Sequence, residues 1–461
     1  MGGALIFQGA NSGKSPKKQV DINNRLLTIG EQVISFERYN QILGNVVQYT
    51  NPNNEKLSPF QVEFLQLQAM NVLVEEVVFY NGATEAAITL EKSEIEEGYF
   101  TFLSENNLKD KKELKKLLKE RKIPFSEFEK SFEKQLLINN FKALLMANVG
   151  VDPSSDSALA QLDLQIISLT STKETLAEKI DLANEVYEKL QDGLSFSDAV
   201  IVYSESKDPN IKENKGIIKG ISYGQLPEKI ENIAFQTDVN SISKPVVLDS
   251  EIYILKVLAK TNVELPESVT KEQYVKQLNA QLSERRLNTY KTTYLANHPI
   301  EVYADEIRPI YYKQQGNFER AIEAYYKLTS KAIQNPVPHF FIAELYSNMG
   351  KIEEALTEIA KADLKAELSV VNDFTELHLL YGDLLNATGK DEEALTQYEK
   401  SFVLSSNNID GLELLKERYK KMKLSEKLDE VNQKITMLEE EKIQQQEALN
   451  ELLQESSDQL N

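Results

Sequence analysis

Leu162-Asp163-Leu164-Gln165-Ile166-Ile167-Ser168-Leu169-Thr170 opens the stretch, ending near Lys260, whose reading decides the fold. Its apolar run, Leu164 to Ser168, reads as a short strand. From Lys173 to Leu190 the period changes, with Leu176, Ile180, Ala183, Val186 and Leu190 recurring at helical spacing. Gly193 stops that helix. Ser195-Phe196-Ser197-Asp198-Ala199 and Tyr203-Ser204 follow, then Lys215-Gly216-Ile217-Ile218-Lys219-Gly220 and Gly224-Gln225-Leu226-Pro227. Ala234-Phe235, Ile242-Ser243-Lys244-Pro245-Val246 and a second strand, Ile252-Tyr253-Ile254-Leu255-Lys256-Val257, close it.

In that order these elements resemble a parvulin, the small peptidyl-prolyl isomerase domain. The resemblance implies an α+β domain over residues 160–262. It also implies a site with one histidine in the first strand, one in the last, an acid or thiol between them, and a proline-binding floor of Met or Leu plus Phe. Matched residue by residue, the first histidine falls on Gln165 and the second on Tyr253. The acid or thiol falls near Ile217 or Ile218, and only the floor is kept, as Leu226 and Phe235. The three histidines, His298, His339 and His378, lie outside the stretch, and the chain has no cysteine.

An isomerase lowers a rotational barrier of about 18–20 kcal/mol by favouring the twisted amide over the planar one. Donors placed around the carbonyl do part of that work, whereas a hydrophobic floor alone binds proline in its ground state. The expectation is therefore an isomerase fold with its polar centre replaced, used for binding or spacing. An active isomerase is the alternative, and Leu226 and Phe235 as plain core residues is a third reading left open.

A chain of 461 residues has room for about three domains. With 41% hydrophobic and 27% charged residues it is neither disordered nor membrane-embedded. A net charge of −20 has the wrong sign for a nucleic-acid partner. Without cysteine there are no disulfides, thiolate zinc sites or thiol nucleophiles. No phosphate-cradling glycine loop occurs, so no metal, nucleotide or other cofactor is expected. Residues 1–19 carry one apolar run, Ala4-Leu5-Ile6-Phe7, with Lys14, Lys17 and Lys18 behind it. That run is far short of the roughly 20 residues that span a bilayer and lacks a signal pattern. A leader and the remnant of a membrane anchor are both open.

Leu26 to Ile34 reads as a β-turn-β element turning at Gly30, with Ser35 as N-cap of the next helix. Helices are expected over Gln61–Tyr80, stopped by Asn81-Gly82, then through Leu90, Lys92–Ser104, Lys111–Arg121 and Glu127–Met146. In the first of these Glu75 and Glu76 mark a wet edge; in the last Ser126 and Glu129 would form a capping box. Lys109 to Lys122 packs eight basic residues against three acids, either a contact for a membrane or acidic clients or a solvated helix face. Thr28-Ile29-Gly30-Glu31-Gln32-Val33-Ile34 and Phe128-Glu129-Lys130-Ser131-Phe132-Glu133-Lys134-Gln135-Leu136-Leu137 resemble the helical chaperone domain of SurA- and PpiD-type (PrsA-like) periplasmic proteins, which precedes a parvulin. That resemblance implies a domain of residues 20–148 plus 265–303, in which a helix and strand from Lys271 to Val302 fold back, and extracytoplasmic clients.

Gly316-x-Phe318-x-x-Ala321-x-x-x-Tyr325, Gly350-x-Ile352-x-x-Ala355-x-x-x-Ile359 and Gly389-x-Asp391-x-x-Ala394-x-x-x-Tyr398 share one template. The first step, 34 residues, is the tetratricopeptide period; the second is 39, placing an insertion near Lys365 to Asn372. An α-solenoid is expected over 304–415, its opening helix interrupted by Pro309, with Phe340, Glu344, Ser347, Leu379, Asp383 and Asn386 facing a partner. Residues 416–461 read as a long helix. Leu424, Leu428, Val431, Ile435, Leu438, Leu449 and Leu452 keep a heptad register broken at Lys442 and Gln445. A coiled coil and a solitary helix packed on the last repeat are both open, and Ser456 to Asn461 is expected to be disordered.

The whole reads as a mainly α chain with one small α+β domain. Its expected function is an extracytoplasmic folding chaperone, in the periplasm or envelope, that binds unfolded or nascent exported polypeptides. The parvulin-like domain would be inactive and the repeats would dock a translocation or assembly complex. A scaffold without chaperone activity is the structural alternative.

Overall fold

Three short strands bring the two ends of the N-terminal region together, because the chain that leaves after Ile29 returns at Ile300 to lie beside it. The computed structural model describes residues 24–147, 156–206, 208–368 and 373–458. In chain order it runs β1 (Arg25–Ile29), β2 (Gln32–Ser35), α1 (Phe36–Thr50), α2 (Pro59–Glu85), α3 (Lys92–Glu105), α4 (Lys111–Glu120) and α5 (Phe125–Met146). Then come β3 (Ala160–Thr170), α6 (Leu176–Gln191), α7 (Phe196–Tyr203), α8 (Pro209–Glu213), β4 (Ile217–Ser222), α9 (Glu228–Gln236), β5 (Val246–Leu248) and β6 (Glu251–Asn262). After α10 (Lys271–Asn297) and β7 (Ile300–Val302) the chain is helical: α11 (Arg308–Gln314), α12 (Phe318–Lys331), α13 (Val337–Asn348), α14 (Ile352–Glu367), α15 (Thr375–Ala387), α16 (Asp391–Leu404), α17 (Ile409–Lys421) and α18 (Ser425–Asp458). The fold is mainly α with a small antiparallel sheet domain. No helix among the described residues is long and apolar enough to cross a membrane.

The leader 1–19, residues 148–155, residues 369–372 of the expected insertion, the side chains of Leu449 and Leu452, and residues 459–461 lie outside the described residues.

By contacts the described chain divides otherwise than by the expected domains. One unit takes 24–81, 89–136 and 295–458; the other takes 82–88 and 137–294. In the first, β1 is the centre of the sheet β2-β1-β7. Gly30 turns the hairpin at φ +56°, where a side chain is strained. Ser35 caps α1, its hydroxyl accepting from the Arg38 amide at 3.2 Å. Glu76 is not a wet edge: its carboxylate lies between Arg38 (2.7 Å) and Lys134 (2.6 Å). Burial alone would raise it, but the two cations outweigh burial and hold it below the usual range. The basic helix α4 buries Leu114 and Leu118 in an aromatic cluster with Tyr99, Phe128 and Phe132. Lys111 lies over the Tyr99 ring and Lys115 over Phe125, so part of its charge covers apolar surface.

Several element ends differ from expectation. Asn81-Gly82 does not end α2, which continues to Glu85; beyond it residues 86–91 form no helix, and Ala87 turns at φ +51°. Gly82 is there for closeness, since a Cβ would stand 2.3 Å from the Tyr290 hydroxyl and 2.4 Å from the Phe141 ring. Helix α5 begins at Phe125, so Ser126 lies inside the first turn and caps nothing, while the Pro124 carbonyl accepts from Glu127 and Phe128. Pro309 opens α11 instead of interrupting it, where a missing amide hydrogen costs nothing.

Consecutive helices pair as α11/α12, α13/α14, α15/α16 and α17/α18, with Gly316, Gly350 and Gly389 in the left-handed conformation at the first three turns. Lys423 takes that place at the fourth, φ +60°. The C-terminal residues are therefore not one helix from 416 onward; the 415/416 boundary falls inside α17. Val431, Ile435 and Leu438 of α18 bury against Leu412, Leu415 and Tyr419 of α17. The first half of α18 is thus packed within the chain, Glu441 to Ala448 are exposed, and the helix continues through 458 where disorder was expected.

Candidate functional site

In the second unit an antiparallel sheet of order β4-β3-β6-β5 separates two layers of side chains. Alternation along β3 decides which residues meet. Leu162, Leu164 and Ile166 share a cluster with Ile230, Ala234 and Phe235 of α9. Ile167 and Leu169 face the other way, Ile167 onto Val186 of α6 and Val200 of α7.

Of the four residues carried over from the parvulin pattern, three share a face. Phe235 is 7% exposed in the α9 cluster, with Leu226 and Tyr253 packed against it. Gln165 lies on the opposite face: its amide donates to the Ser197 hydroxyl of α7 at 3.0 Å and to the Lys215 carbonyl at 2.9 Å. Successive residues of a strand point to opposite faces, so Gln165 does not stand beside Leu226, Phe235 and Tyr253. The β3 side chains that pack with Phe235 are Leu162, Leu164 and Ile166, all aliphatic, and none brings an imidazole to the floor. Ile217 pairs with Gln165 and Ile218 with Leu164, and neither brings an acid or thiol. Tyr253 binds its own hydroxyl to Glu251 two residues away. Burial and that carboxylate raise its phenol well above the usual range, so it stays a neutral donor.

The floor is also covered. The Tyr223 ring stacks on Phe235 with centroids 3.7 Å apart and planes at 16°. From α10, Arg285 donates to the Leu226 carbonyl at 2.7 Å and to Glu231 at 2.6 Å, while Arg286 pairs with Glu228. The Glu231 side chain is 3% exposed and also accepts from the Gly224 amide at 2.6 Å. A buried carboxylate held by a guanidinium and an amide fixes the segment carrying Tyr223 and Leu226. Sequence reading missed this clamp; the adjacent Arg285-Arg286 within α10 was its signal. Gly216 brings β4 against β3, since a Cβ there would lie 2.7 Å from the Ile166 carbonyl oxygen.

The histidines belong to the other unit. His339 Nδ1 lies 2.7 Å from Glu358, and His378 Nδ1 lies 2.7 Å from Gln397, each pair nineteen residues apart. Both are buried. Among the described residues no cluster of His, Asp or Glu is arranged to hold a metal ion.

A family model described as the PPIC-type PPIase domain matches residues 164–259, and one described as the SurA-like N-terminal domain matches 3–142. The chain thus carries a SurA-like N-terminal domain and a PPIC-type parvulin domain. Foldase protein PrsA of Caldanaerobacter subterraneus subsp. tengcongensis is 23% identical over 263 residues, covering 55% of this chain and 79% of that one. Periplasmic chaperone PpiD of Haemophilus ducreyi is 33% identical over 115 residues, 24% of this chain and 18% of that one. Among solved structures, PrsA from Bacillus anthracis aligns at 16% identity with a TM-score of 0.24, covering 50% of this chain and 100% of that one.

The six residues expected to face a partner across the helical hairpins are not alike. Phe340 is fully buried and Leu379 nearly so. Glu344 pairs with Lys313 at 2.7 Å, Asp383 with Arg418 at 2.6 Å, and Asn386 donates to Asp391 at 3.0 Å. Phe340, Glu344, Leu379 and Asp383 line one groove; Ser347 does not. The start of α2 enters the same groove: Phe60 packs edge-on against Phe340 and Phe341 at 5.1 and 5.5 Å. Glu63 accepts from Lys313 and from the Tyr325 hydroxyl, each at 3.2 Å.

Proposed function

We propose that the chain holds non-native polypeptides in an extracytoplasmic compartment and does not isomerise prolyl bonds. The observation that carries this is the sheet face behind Phe235, where Leu164 and Ile166 stand and Tyr223 closes the floor. Rotation needs donors aimed at the twisted amide; Leu164 and Ile166 offer none, and the Tyr253 hydroxyl on the same face is already spent on Glu251. The domain's worth is then as a clamped spacer, held to α10 through Glu231. Client capture falls to exposed apolar side chains of the SurA-like region: Tyr49 on α1, Phe64 on α2 and Phe100 on α3, exposed by 55 to 75%. Large exposed apolar groups on a family of chaperones fit binding by burial. The periplasmic chaperone PpiD, to which part of the chain is similar, supports the compartment.

The helical hairpins after residue 304 act, in this reading, as tetratricopeptide repeats that dock a partner. The recurrence of the turn glycine and of the histidine bond at equal spacing supports it. A test is light scattering by a chemically denatured client diluted into the full chain. The native chain should suppress aggregation, and Phe64→Asp with Phe100→Asp should weaken suppression several-fold while leaving the circular dichroism unchanged. No suppression by the native chain overturns the proposal.

A further inference from the structure

We infer that the groove between the start of α2 and the hairpin helices α13, α15 and α17 is a docking site for a cationic, apolar peptide segment of another protein. This rests on the reading of the hairpins as a docking module and specifies its ligand. The groove has a volume of about 1050 Å³, enough for several side chains. Its bottom is Phe60 wedged on Phe340 and Phe341. Higher up, Val62, Leu404 and Leu414 line it and stay exposed by 41, 36 and 48%, so apolar surface remains for an occupant to cover.

Charge selects that occupant. Along the groove, Glu63 and Glu344 share Lys313, Asp383 holds Arg418, and Asp373 holds His378. These are satisfied within the chain and offer a ligand little. Glu306, Glu376 and Asp410 remain, none within salt-bridge distance of a described cation, against Lys56 as the one unpaired cation among the described lining residues. Glu306 acts through space on Lys331, which leaves Glu376 and Asp410 as the unpaired carboxylates beside an apolar floor; they favour a segment with large apolar side chains flanked by Lys or Arg, and disfavour an acidic one. The net charge of −20 acts in the same direction at long range.

The test is fluorescence anisotropy of labelled peptides of equal length with the full chain. One peptide alternates Lys with Leu and Phe, one replaces Lys by Glu, and one replaces Leu and Phe by Ser. The first should bind, at least about tenfold more tightly than the other two, and weaken as salt rises. Glu376→Lys with Asp410→Lys should reverse the preference between the Lys and Glu peptides; Glu376→Gln with Asp410→Asn, which disturbs the helix starts less, should flatten the salt dependence. Equal binding of Lys and Glu peptides, or native affinity in both variants, overturns the inference. Aggregation suppression measured on the same variants should stay native. Loss of suppression in the native chain with peptide selectivity kept would sink the holding function and leave the groove standing.

Discussion

Glu358 gathers three donors on one buried carboxylate: His339 at 2.7 Å, Lys361 at 2.6 Å and the Tyr326 hydroxyl at 3.0 Å. Burial would raise its pKa, but these bonds outweigh burial and hold it at about 2. A carboxyl that binds its proton less readily folded than unfolded stabilises above its ordinary value of 4.5 and loses that contribution as pH falls toward 2. Thermal or urea unfolding between about pH 5 and pH 2 should therefore show a falling stability that Glu358→Gln flattens. The next hairpin already carries the substitute, because Gln397 meets His378 at the same spacing. At neutral pH the cost of Glu358→Gln should stay within about 3 kcal/mol; an unchanged acid slope would contradict this account of the site. At the parvulin floor, Tyr223→Ala should increase binding of an Ala-Pro peptide, read by anisotropy, by uncovering Phe235. Unchanged binding would make Phe235 a core residue and nothing more.

Among the elements, the hairpins are held by small residues where helices approach. A Cβ at Gly382 would stand 2.4 Å from the Tyr398 ring, whose hydroxyl is fixed by Asp383 at 2.8 Å. Gly382→Ala should cost about 1–3 kcal/mol in urea unfolding. At Gly350, by contrast, nothing lies within 4 Å of a Cβ, and only the φ of +73° opposes alanine, so about 1–2 kcal/mol is expected there. Elements of this kind were legible wherever periodicity and backbone chemistry agreed: the β1/β2 hairpin at Gly30, α3, α4, β6, and the three turn glycines. Legibility failed where one residue type serves two purposes. Gly82 read as a helix stop but is a contact point inside α2, Pro309 read as a break but is a start, and Lys423 occupies a turn that the glycine template passed over. The face that Gln165 takes was illegible for a different reason. Period-two alternation makes a strand's faces depend on register, and a strand matched without its partners has no register.

For the molecule as a whole, the division into two contact units cuts across the order in which the domains are read along the chain. Local sequence patterns carry no information on that division, because it is made by scattered pairs: Phe60 and Glu63 with the hairpins in one unit, Arg285 with Glu231 in the other. Heat unfolding followed by calorimetry should depart from a two-state transition, with a van't Hoff enthalpy below the calorimetric one. Equal enthalpies would mean that the two units melt as a single cooperative body. The central claim is that a parvulin-shaped domain persists here without the groups that turn an amide. Its most direct test is the cis-to-trans relaxation of an Ala-Pro peptide in the presence of the purified full chain. The rate should remain at the uncatalysed value, tens to hundreds of seconds at 25 °C, for the native chain and for Phe235→Ala alike. Acceleration by the native chain that Phe235→Ala abolishes would contradict it.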